Sequence, residues 1–408
     1  MSDVIKIIHT ADLHIGVQNY GRLDSKTGMH IRIADFLKSL DKVVDYAIET
    51  GQHAFLISGD IFKNREPDVT QQREFAKRIK KLSDAGIKVY MIIGNHDLHN
   101  SVFKAASVEI YDVLDMPGVY VRRRADIDVI DTSVGPFQVV ALPYMSPSNL
   151  VEEGEGIGDT AQYIRNRIDT LIDMLVKRMD KTLPTIFMSH FSIIGAVPGS
   201  EKAIMLGREV TLPVSTFARP EFDYVAMGHI HKHQALYDHP AVVYSGSIDR
   251  VDFSEEKEQK GFVEVELFKG DTFWRFIPLD TRPFRTIYVD GSKDDPYDKA
   301  MEKIEHEDLE EAIVKLKVKL PSHKLSALKE PELYRELRRR AFYVAGIEKE
   351  ITSDLSHLRH PGITERMDVR EAVGEYISKK GEYEDIKEDL LKANDELMQE
   401  LKEGEAIL

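Results

Sequence analysis

Along the first 230 or so residues, short apolar runs repeatedly stop at a polar side chain, often with a glycine between them. Phe55-Leu56-Ile57-Ser58-Gly59 ends at Asp60, and Ile5-Lys6-Ile7-Ile8 leads to Asp12 and His14. Val89 to Ile93 leads to Gly94-Asn95-His96-Asp97, Thr185 to Met188 to His190, and Tyr224 to Met227 to Gly228-His229-Ile230-His231. Runs this short and apolar, bounded by turn residues, predict buried strands. Between the first two, Ile33, Phe36, Leu37, Leu40, Val43, Val44 and Ala47 fall at the spacing of a helix packed on a sheet. Strand, helix, strand in succession predicts crossover connections and a largely parallel sheet. Five strands ending in Asp, Asn or His would set a ring of donors along one edge of that sheet, where open α/β folds keep their ligands.

The pattern continues with a predicted helix over Val102 to Leu114, two strands over Tyr120 to Val140 turning at Gly135-Pro136, and an acidic, Gly-rich loop over Leu150 to Gly158. A helix over Ile164 to Met179 follows, and the Gly- and Pro-containing stretch Ile194 to Ser215 reads as a functional loop. Ala241 to Ser247 is a further strand, Gly261 to Phe268 alternates as a strand with one exposed face, and Phe273 to Ile277 follows it. Thr281-Arg282-Pro283 marks a boundary. Beyond it a β-α-β-α-β unit is predicted, with strands over Arg285 to Val289, Ala312 to Leu320 and Phe342 to Ile351 and helices over Asp298 to His306 and Glu330 to Arg340. The middle strand puts Lys315, Lys317 and Lys319 on one face. After His360-Pro361-Gly362, two amphipathic helices are predicted, Val369 to Lys379 and Tyr383 to Lys402, whose apolar stripe must dock on something. The expected division is therefore 1–280, 281–360 and 361–408.

A chain of 408 residues is too long for one small core and predicts two or three domains. With 42% hydrophobic and 31% charged residues it reads as a soluble globular protein. No stretch approaches the roughly 18 apolar residues of a membrane helix. Met1-Ser2-Asp3-Val4 lacks a basic region followed by an apolar core, so a cytoplasmic location is expected. The absence of cysteine agrees with a reducing compartment and excludes thiolate ligands, disulfides and a cysteine nucleophile. The formal net charge of −15 argues against nucleic acid as partner. It is uneven, however: residues 361–408 hold 14 acidic against 7 basic side chains, so the remainder is only mildly acidic. Arg122-Arg123-Arg124 and Arg338-Arg339-Arg340 could meet phosphates, though solvated basic faces are the commoner reading of such clusters.

Donors from five strand ends suit two divalent ions about 3.5–4 Å apart, which clamp the attacking and leaving oxygens of a phosphoryl displacement. Asp60, on a central strand, is the candidate bridge. Asp12, His14 and His231 would complete one site and Asn95, His190 and His229 the other. Residues two apart on an extended segment point the same way, so Asp12 with His14, and His229 with His231, can each present two ligands. Carboxylate, imidazole and amide without thiolate suit Mn²⁺, Fe²⁺ or Zn²⁺, with manganese favoured. His96 is expected to face the ions without binding them and to protonate the leaving oxygen, with Asp97 fixing its ring.

Asp12-Leu13-His14, Gly59-Asp60, Gly94-Asn95-His96-Asp97, His190 and Gly228-His229-Ile230-His231, in that order, resemble the motifs of the calcineurin-like metallophosphoesterases. Thr10 to Gly16, Tyr224 to His231, and Tyr244-Ser245-Gly246-Ser247 followed by Phe253-Ser254-Glu255 and Lys260-Gly261 look like the SbcD nucleases among them. The resemblance covers about residues 4–285. It implies a four-layer α/β metallophosphoesterase sandwich flanked by helices, a smaller α+β capping domain that helps place DNA, and a C-terminal helical hairpin. It further implies two Mn²⁺ per chain (with Mg²⁺, Fe²⁺ or Zn²⁺ as alternatives), 3′ exonuclease action on duplex DNA, and endonuclease action on single strands and hairpins. A homodimer and an SbcC-type, SMC-like ATPase partner held by the C-terminal helices complete the expectation. Some relatives carry a second histidine three residues after the bridging aspartate. Here Lys63 stands there, able to hold a phosphate but a poor proton shuttle. Serine/threonine phosphatases share the metal cage but carry Gly-Asp-x-Val-Asp-Arg-Gly and Gly-Asn-His-Glu, unlike Gly59 to Arg65 and Gly94 to Asp97 here. A small-molecule or cyclic-nucleotide phosphodiesterase is the alternative and leaves residues 281–408 without a role. A non-enzymatic scaffold conflicts with the complete ligand set.

Overall fold

Each apolar run becomes a strand because neighbours cover it on both faces. The computed structural model describes residues 4–99, 104–146, 160–200, 210–352, 368–380 and 386–405. The chain runs β1 (Ile5–Thr10), a helix Ile31–Glu49, β2 (Ala54–Ser58), a helix Val69–Asp84, β3 (Lys88–Ile92), β4 (Val119–Arg122), β5 (Asp126–Thr132) and β6 (Gly135–Leu142). A helix Thr160–Arg178 leads to β7 (Thr185–His190), the short β8 (Ser192–Ile193) and β9 (Thr211–Leu212), then β10 (Tyr224–Gly228), β11 (Gln234–Asp238), β12 (Ala241–Tyr244), β13 (Gly261–Leu267) and β14 (Thr272–Pro278). The result is two six-stranded sheets, ordered β14-β13-β1-β2-β3-β4 and β11-β12-β10-β7-β6-β5. Their centres are parallel, whereas β13 on β1, β14 on β13, β11 on β12 and β5 on β6 are antiparallel. Two mixed sheets thus replace the expected single, largely parallel one: β14, β11 and β5 reach the edges through hairpins, whereas β13 pairs with β1 from the far end of the domain's sequence.

Alternate residues of one strand serve different layers. Ile8, Phe55, Ile57, Val89 and Met91 pack on Leu37, Leu40 and Val44 of the first helix and Phe75 and Ile79 of the second. Ile7, Leu56 and Tyr90 face Phe137, Val139, Ile186, Met188 and Ala226 of the other sheet. Val140, Phe187, Val225 and Val242 turn outward onto Ile164, Ile168 and Ile172. Helix, sheet, sheet, helix: these are the four layers that the resemblance implies.

Several expectations change. The strand from Gly261 is buried on both faces except at Glu266, because Phe262 packs into the core under the first two helices and Val263, Val265 and Leu267 into the core between the sheets. The Tyr120 to Val140 region holds three strands, and its hairpin turns at Ser133-Val134, with Gly135 already paired to Thr132. In place of a helix from Val102 there is a short 3₁₀ turn, Ser107–Glu109, and one helical turn, Ile110–Val113. Ala106 is extended there and receives the Glu109 carboxylate at its N–H, which starts the helix late. Val102 and Phe103, the loop 150–158, residues 201–209 of the long segment, the break at 360–362 and the joint at Gly381 lie outside the described residues.

By compactness the chain divides into Met1–Ile287 with Glu307–Lys315 and Tyr334–Gly346, and Tyr288–His306 with Leu316–Leu333 and Ile347–Leu408. Arg282 belongs to the first of these: it forks onto Asp35 at 2.9 Å to each oxygen, reaches Glu311 at 2.6 Å and lies 3.4 Å over the Phe342 ring. Strands β15 (Phe284–Asp290), β16 (Ile313–Pro321) and β17 (Tyr343–Thr352) form a sheet of their own, with helices Pro296–His306 and Glu330–Arg340 between them in sequence. Helices Val369–Lys380 and Lys387–Glu405 come last. Among the described residues no helix is long and apolar enough to cross a membrane.

Candidate metal centre

The ligand-bearing ends of β1, β2 and β3 belong to one sheet and those of β7 and β10 to the other. The donors therefore meet where two sheets converge, instead of along one edge of one sheet. Backbone bonds from Asp12 N to Gly59 O (3.1 Å) and His14 N to Asp60 O (3.0 Å) hold the first two ends together. The Ser58 hydroxyl donates to Ala226 O at 3.1 Å across the sandwich. This convergence explains the glycines in the motifs. A Cβ on Gly94 would lie 2.1 Å from Asp60 Oδ1, and one on Gly228 would lie 2.0 Å from Ser58 O. Four ligand residues are bent into left-handed backbone: Asp12 (φ 52°), His14 (40°), Asp60 (53°) and His229 (100°). Each such residue costs on the order of 1–3 kcal/mol, which surrounding structure must hold in place.

All seven predicted ligands come together. His14 Nε2 lies 2.8 Å from His231 Nε2, and Asp12, His14 and His231 offer donor atoms within 4.8 Å of one another. Asn95 Oδ1 stands 3.0 Å from His190 Nε2 and 3.0 Å from His229 Nδ1. Asp60 Oδ2 lies between the groups, 3.8 Å from His14 Nε2 and 3.4 Å from His190 Nε2. Asp12, Asp60 and His190 form a further triad of donors within 4.8 Å.

This donor set fits two hard or borderline cations. Two imidazole nitrogens 2.8 Å apart repel through their lone pairs unless a proton or a cation lies between them. The buried His14 Nδ1 has no hydrogen-bond partner. Burial first, then His231, holds the His14 imidazole well below its usual pKa. Burial raises the Asp12 carboxyl to about 6 against the pull of His190. Burial would raise Asp60 too, but His190 reverses this and holds it well below the carboxylate range. Against the desolvation of its ring, the Asp60 carboxylate lifts His190 to about 9. His190 Nδ1 bonds Ser58 O at 2.7 Å, which fixes the ring and presents Nε2 to the centre.

His96 sits at the rim: its ring meets that of His14 edge-on, centroids 4.9 Å apart, and one nitrogen joins His14 and Asp60 in a cluster within 4.8 Å. Its ring is not held by Asp97, as the sequence suggests. His96 Nδ1 bonds the Lys63 carbonyl at 3.0 Å, whereas Asp97 accepts from the backbone N–H groups of Ile61, Phe62 and Gly94 at 3.0–3.3 Å. Asp97 lies on a sharp turn whose nearest donors are amides, so it clamps the Asp60 loop to the Asn95 loop. His96 N adds a 2.8 Å bond to Asp60 Oδ1. Lys63 lies close enough to depress both His14 and His96 by its charge.

Sequence reasoning quotes Glu255 and Lys260 only as family marks. Glu255 Oε1 is 2.8 Å from His231 Nδ1, and Lys260 Nζ is 2.7 Å from Glu255 Oε2. Burial would raise the Glu255 carboxyl, but Lys260 and His231 hold it well below the usual range. A Glu and a Lys five residues apart, just before the strand that starts at Gly261, were the available signal. The arginine clusters go the other way: Arg122 forks onto Asp128 at 2.7 and 2.5 Å, Arg123 meets Glu109 at 3.2 Å and Arg339 meets Glu336 at 2.6 Å. Half of these six arginines thus meet a carboxylate at home, while Arg338 lies over the Tyr334 ring and Arg340 donates to the Glu307 carbonyl.

Among solved structures, a dimetal phosphatase from Danio rerio is similar over 67% of this chain and 96% of its own, at 12% identity and a TM-score of 0.42. The protein TT1561 of Thermus thermophilus is similar over 67% of this chain and 99% of its own, at 16% identity and a TM-score of 0.35. Residues 5–233 match the calcineurin-like phosphoesterase model, a span that takes in every one of the seven candidate ligands. The chain belongs to the calcineurin-like phosphoesterases, hydrolases of phosphoesters built around a two-metal centre.

Proposed function

We propose that this phosphoesterase is a DNA nuclease of the SbcD kind, cutting phosphodiesters at duplex ends and in single strands with manganese in both sites. Two divalent cations, when bound, supply positive charge to the phosphate and lower the pKa of the attacking water. Asp12, His14, His231 and Asp60 would hold one, and Asn95, His190, His229 and Asp60 the other. His96 protonates the leaving oxygen. Its Nδ1 proton is committed to the Lys63 carbonyl, and its other nitrogen takes up the transferable proton once an anionic phosphate offsets the burial that depresses the ring. The Lys63 ammonium, near enough to act on His14 and His96, would hold a phosphate beside the scissile one.

The observation that carries the DNA reading is the length of chain beyond the phosphoesterase. The family model stops at residue 233, and the chain continues through a three-stranded sheet and two terminal helices, parts that a small ester does not require. The exposed Val369, Tyr376, Ile386, Leu390 and Leu397 of those helices suit docking of an SMC-like ATPase. Val69, Val113 and Leu114, 63–82% exposed at the helices after β2 and β3, suit a homodimer contact. A phosphodiesterase for small or cyclic nucleotides is the second reading, favoured by the net charge of −15 and by the arginines already paired with carboxylates.

The full chain with Mn²⁺ should be offered end-labelled duplex, single-stranded circles, a phosphopeptide and a cyclic nucleotide. Degradation of both DNAs is expected. Hydrolysis of the small esters with both DNAs left intact would overturn the nuclease reading in favour of the second.

A further inference from the structure

Three cage histidines differ in what stands behind them. His190 is backed by a backbone carbonyl, Ser58 O at 2.7 Å, and His14 Nδ1 by no partner. His231 Nδ1 alone of these meets a carboxylate, Glu255 Oε1 at 2.8 Å. Glu255 is wholly buried, and its second oxygen accepts from Lys260 Nζ at 2.7 Å and from Val251 N at 3.0 Å. Lys260, 2% exposed, also donates to the His231 carbonyl at 3.1 Å and to Glu258 Oε2 at 2.8 Å. The Ser200 hydroxyl joins both His231 Nδ1, at 2.8 Å, and Glu255 Oε1. His231 is thus gripped at its ring and at its backbone by one closed circuit.

A buried Glu–Lys pair is expensive to desolvate, and a stable sandwich has no need of one at the edge of a donor cluster. Its geometry has a specific consequence. An ionised carboxylate only accepts, so the proton of the His231 ring lies on Nδ1, and the lone pair of Nε2 faces His14 and the cage. A carboxylate behind an imidazole also raises its strength as a ligand.

We infer that Glu255 is a positioning residue that makes His231 the anchoring ligand of the Asp12–His14–His231 group, with Lys260 as the cation that holds the Glu255 carboxylate against the ring. Glu255 serves one of the two cation sites and leaves the Asn95–His190–His229 group untouched. The inference rests on the two-metal reading but not on DNA as substrate.

The test uses the full chain and Mn²⁺ alone, with calorimetric titration and the electron paramagnetic resonance of bound manganese, beside the melting temperature without metal. The parent should bind two ions and show the signal of a coupled pair. Glu255→Ala should keep one ion and bind the other about 10- to 100-fold more weakly, giving the signal of isolated manganese at limiting metal. Glu255→Gln, which retains an acceptor oxygen, should lose less and recover the coupled signal at excess metal. Lys260→Met leaves Glu255 present and covers the case in which Glu255→Ala fails to fold; it should weaken the same site by a smaller factor. Two ions bound with parental affinity in Glu255→Gln and Lys260→Met would overturn the role of Glu255, as would equal weakening at both sites with a lowered metal-free melting temperature. A parent that takes up no manganese would instead sink the metal centre itself.

Discussion

The cage and the lysine face of β16 both gather polar side chains, the cage from strand ends and the loops just beyond them and the lysines from alternate positions along one strand, and they differ in what holds them. In the cage, Asp12, His14, Asp60, His190, His229 and His231 are all at most 5% exposed, four of them on left-handed backbone, and the glycines beside them admit no Cβ. On β16, Lys315 lies 4.5 Å over the Phe253 ring, Lys317 pairs with Glu348 at 3.2 Å, and Lys319 is exposed. Burying converging polar groups costs several kcal/mol and persists only where something offsets it. An exposed lysine costs next to nothing. The cage therefore testifies to chemistry by its mere existence, whereas the lysine face is compatible with DNA without demanding it.

The largest expected effect is at the group shared by both halves of the cage. Asp60→Asn should lower phosphodiester cleavage by at least about 10³-fold, comparable with or beyond the roughly 10²–10⁴ that a general acid contributes, and should weaken both ions together in a metal titration. His96→Asn should lose about 10²–10⁴ in rate while elemental analysis still finds two ions per chain, because Nδ1 is tied to the Lys63 carbonyl and the other nitrogen faces His14 and Asp60 from the rim, where the seven proposed ligands already serve both ions. Loss of metal in that variant would place His96 inside the cage and redraw its edge. Gly94→Ala is a backbone version of the same test. A Cβ 2.1 Å from Asp60 Oδ1 cannot be accommodated without moving the carboxylate. Overpacking of this kind costs about 1–3 kcal/mol, to be read by urea denaturation, and metal affinity should fall with it.

Gly94 also shows how far the sequence reaches. The five motifs are legible because chemistry constrains them locally: a strand, a small residue where space is short, then a ligand. The small sheet is legible for a similar reason, its alternation and helical spacing matching β15 to β17 and their helices to within a residue or two. Membership of two sheets is not written in any one motif. β2 and β7 have equally apolar strings, and only tertiary pairing sends one beside β1 and the other beside β10. Likewise Asp97 looks like a partner for the adjacent His96, yet three amides are nearer to it, and no spacing rule reveals where a loop points its N–H groups. Glu255 is 24 residues from the histidine it supports, a pairing made only when the chain after β12 returns to the cage.

The smallest effect tests the other side of the comparison. Lys317→Glu with Lys319→Glu breaks one ion pair whose partners are 40% and 51% exposed, so its loss costs at most about 1 kcal/mol and the fold should persist. If the face of β16 grips DNA, each lysine that meets a phosphate contributes up to about 0.9 to the slope of log affinity against log salt. The double variant should bind duplex DNA several-fold more weakly near physiological salt and lower that slope by roughly 1–2, measured by fluorescence anisotropy at three or more salt concentrations. Hydrolysis of a small ester such as bis-p-nitrophenyl phosphate should be unchanged, since the seven ligands and His96 all precede residue 232. An unchanged slope would make these lysines ordinary solvated charge and move the grip on DNA to other residues or to a partner. A loss of small-ester hydrolysis would erase the distinction between the two regions, because the lysine face would then be acting on the cage itself.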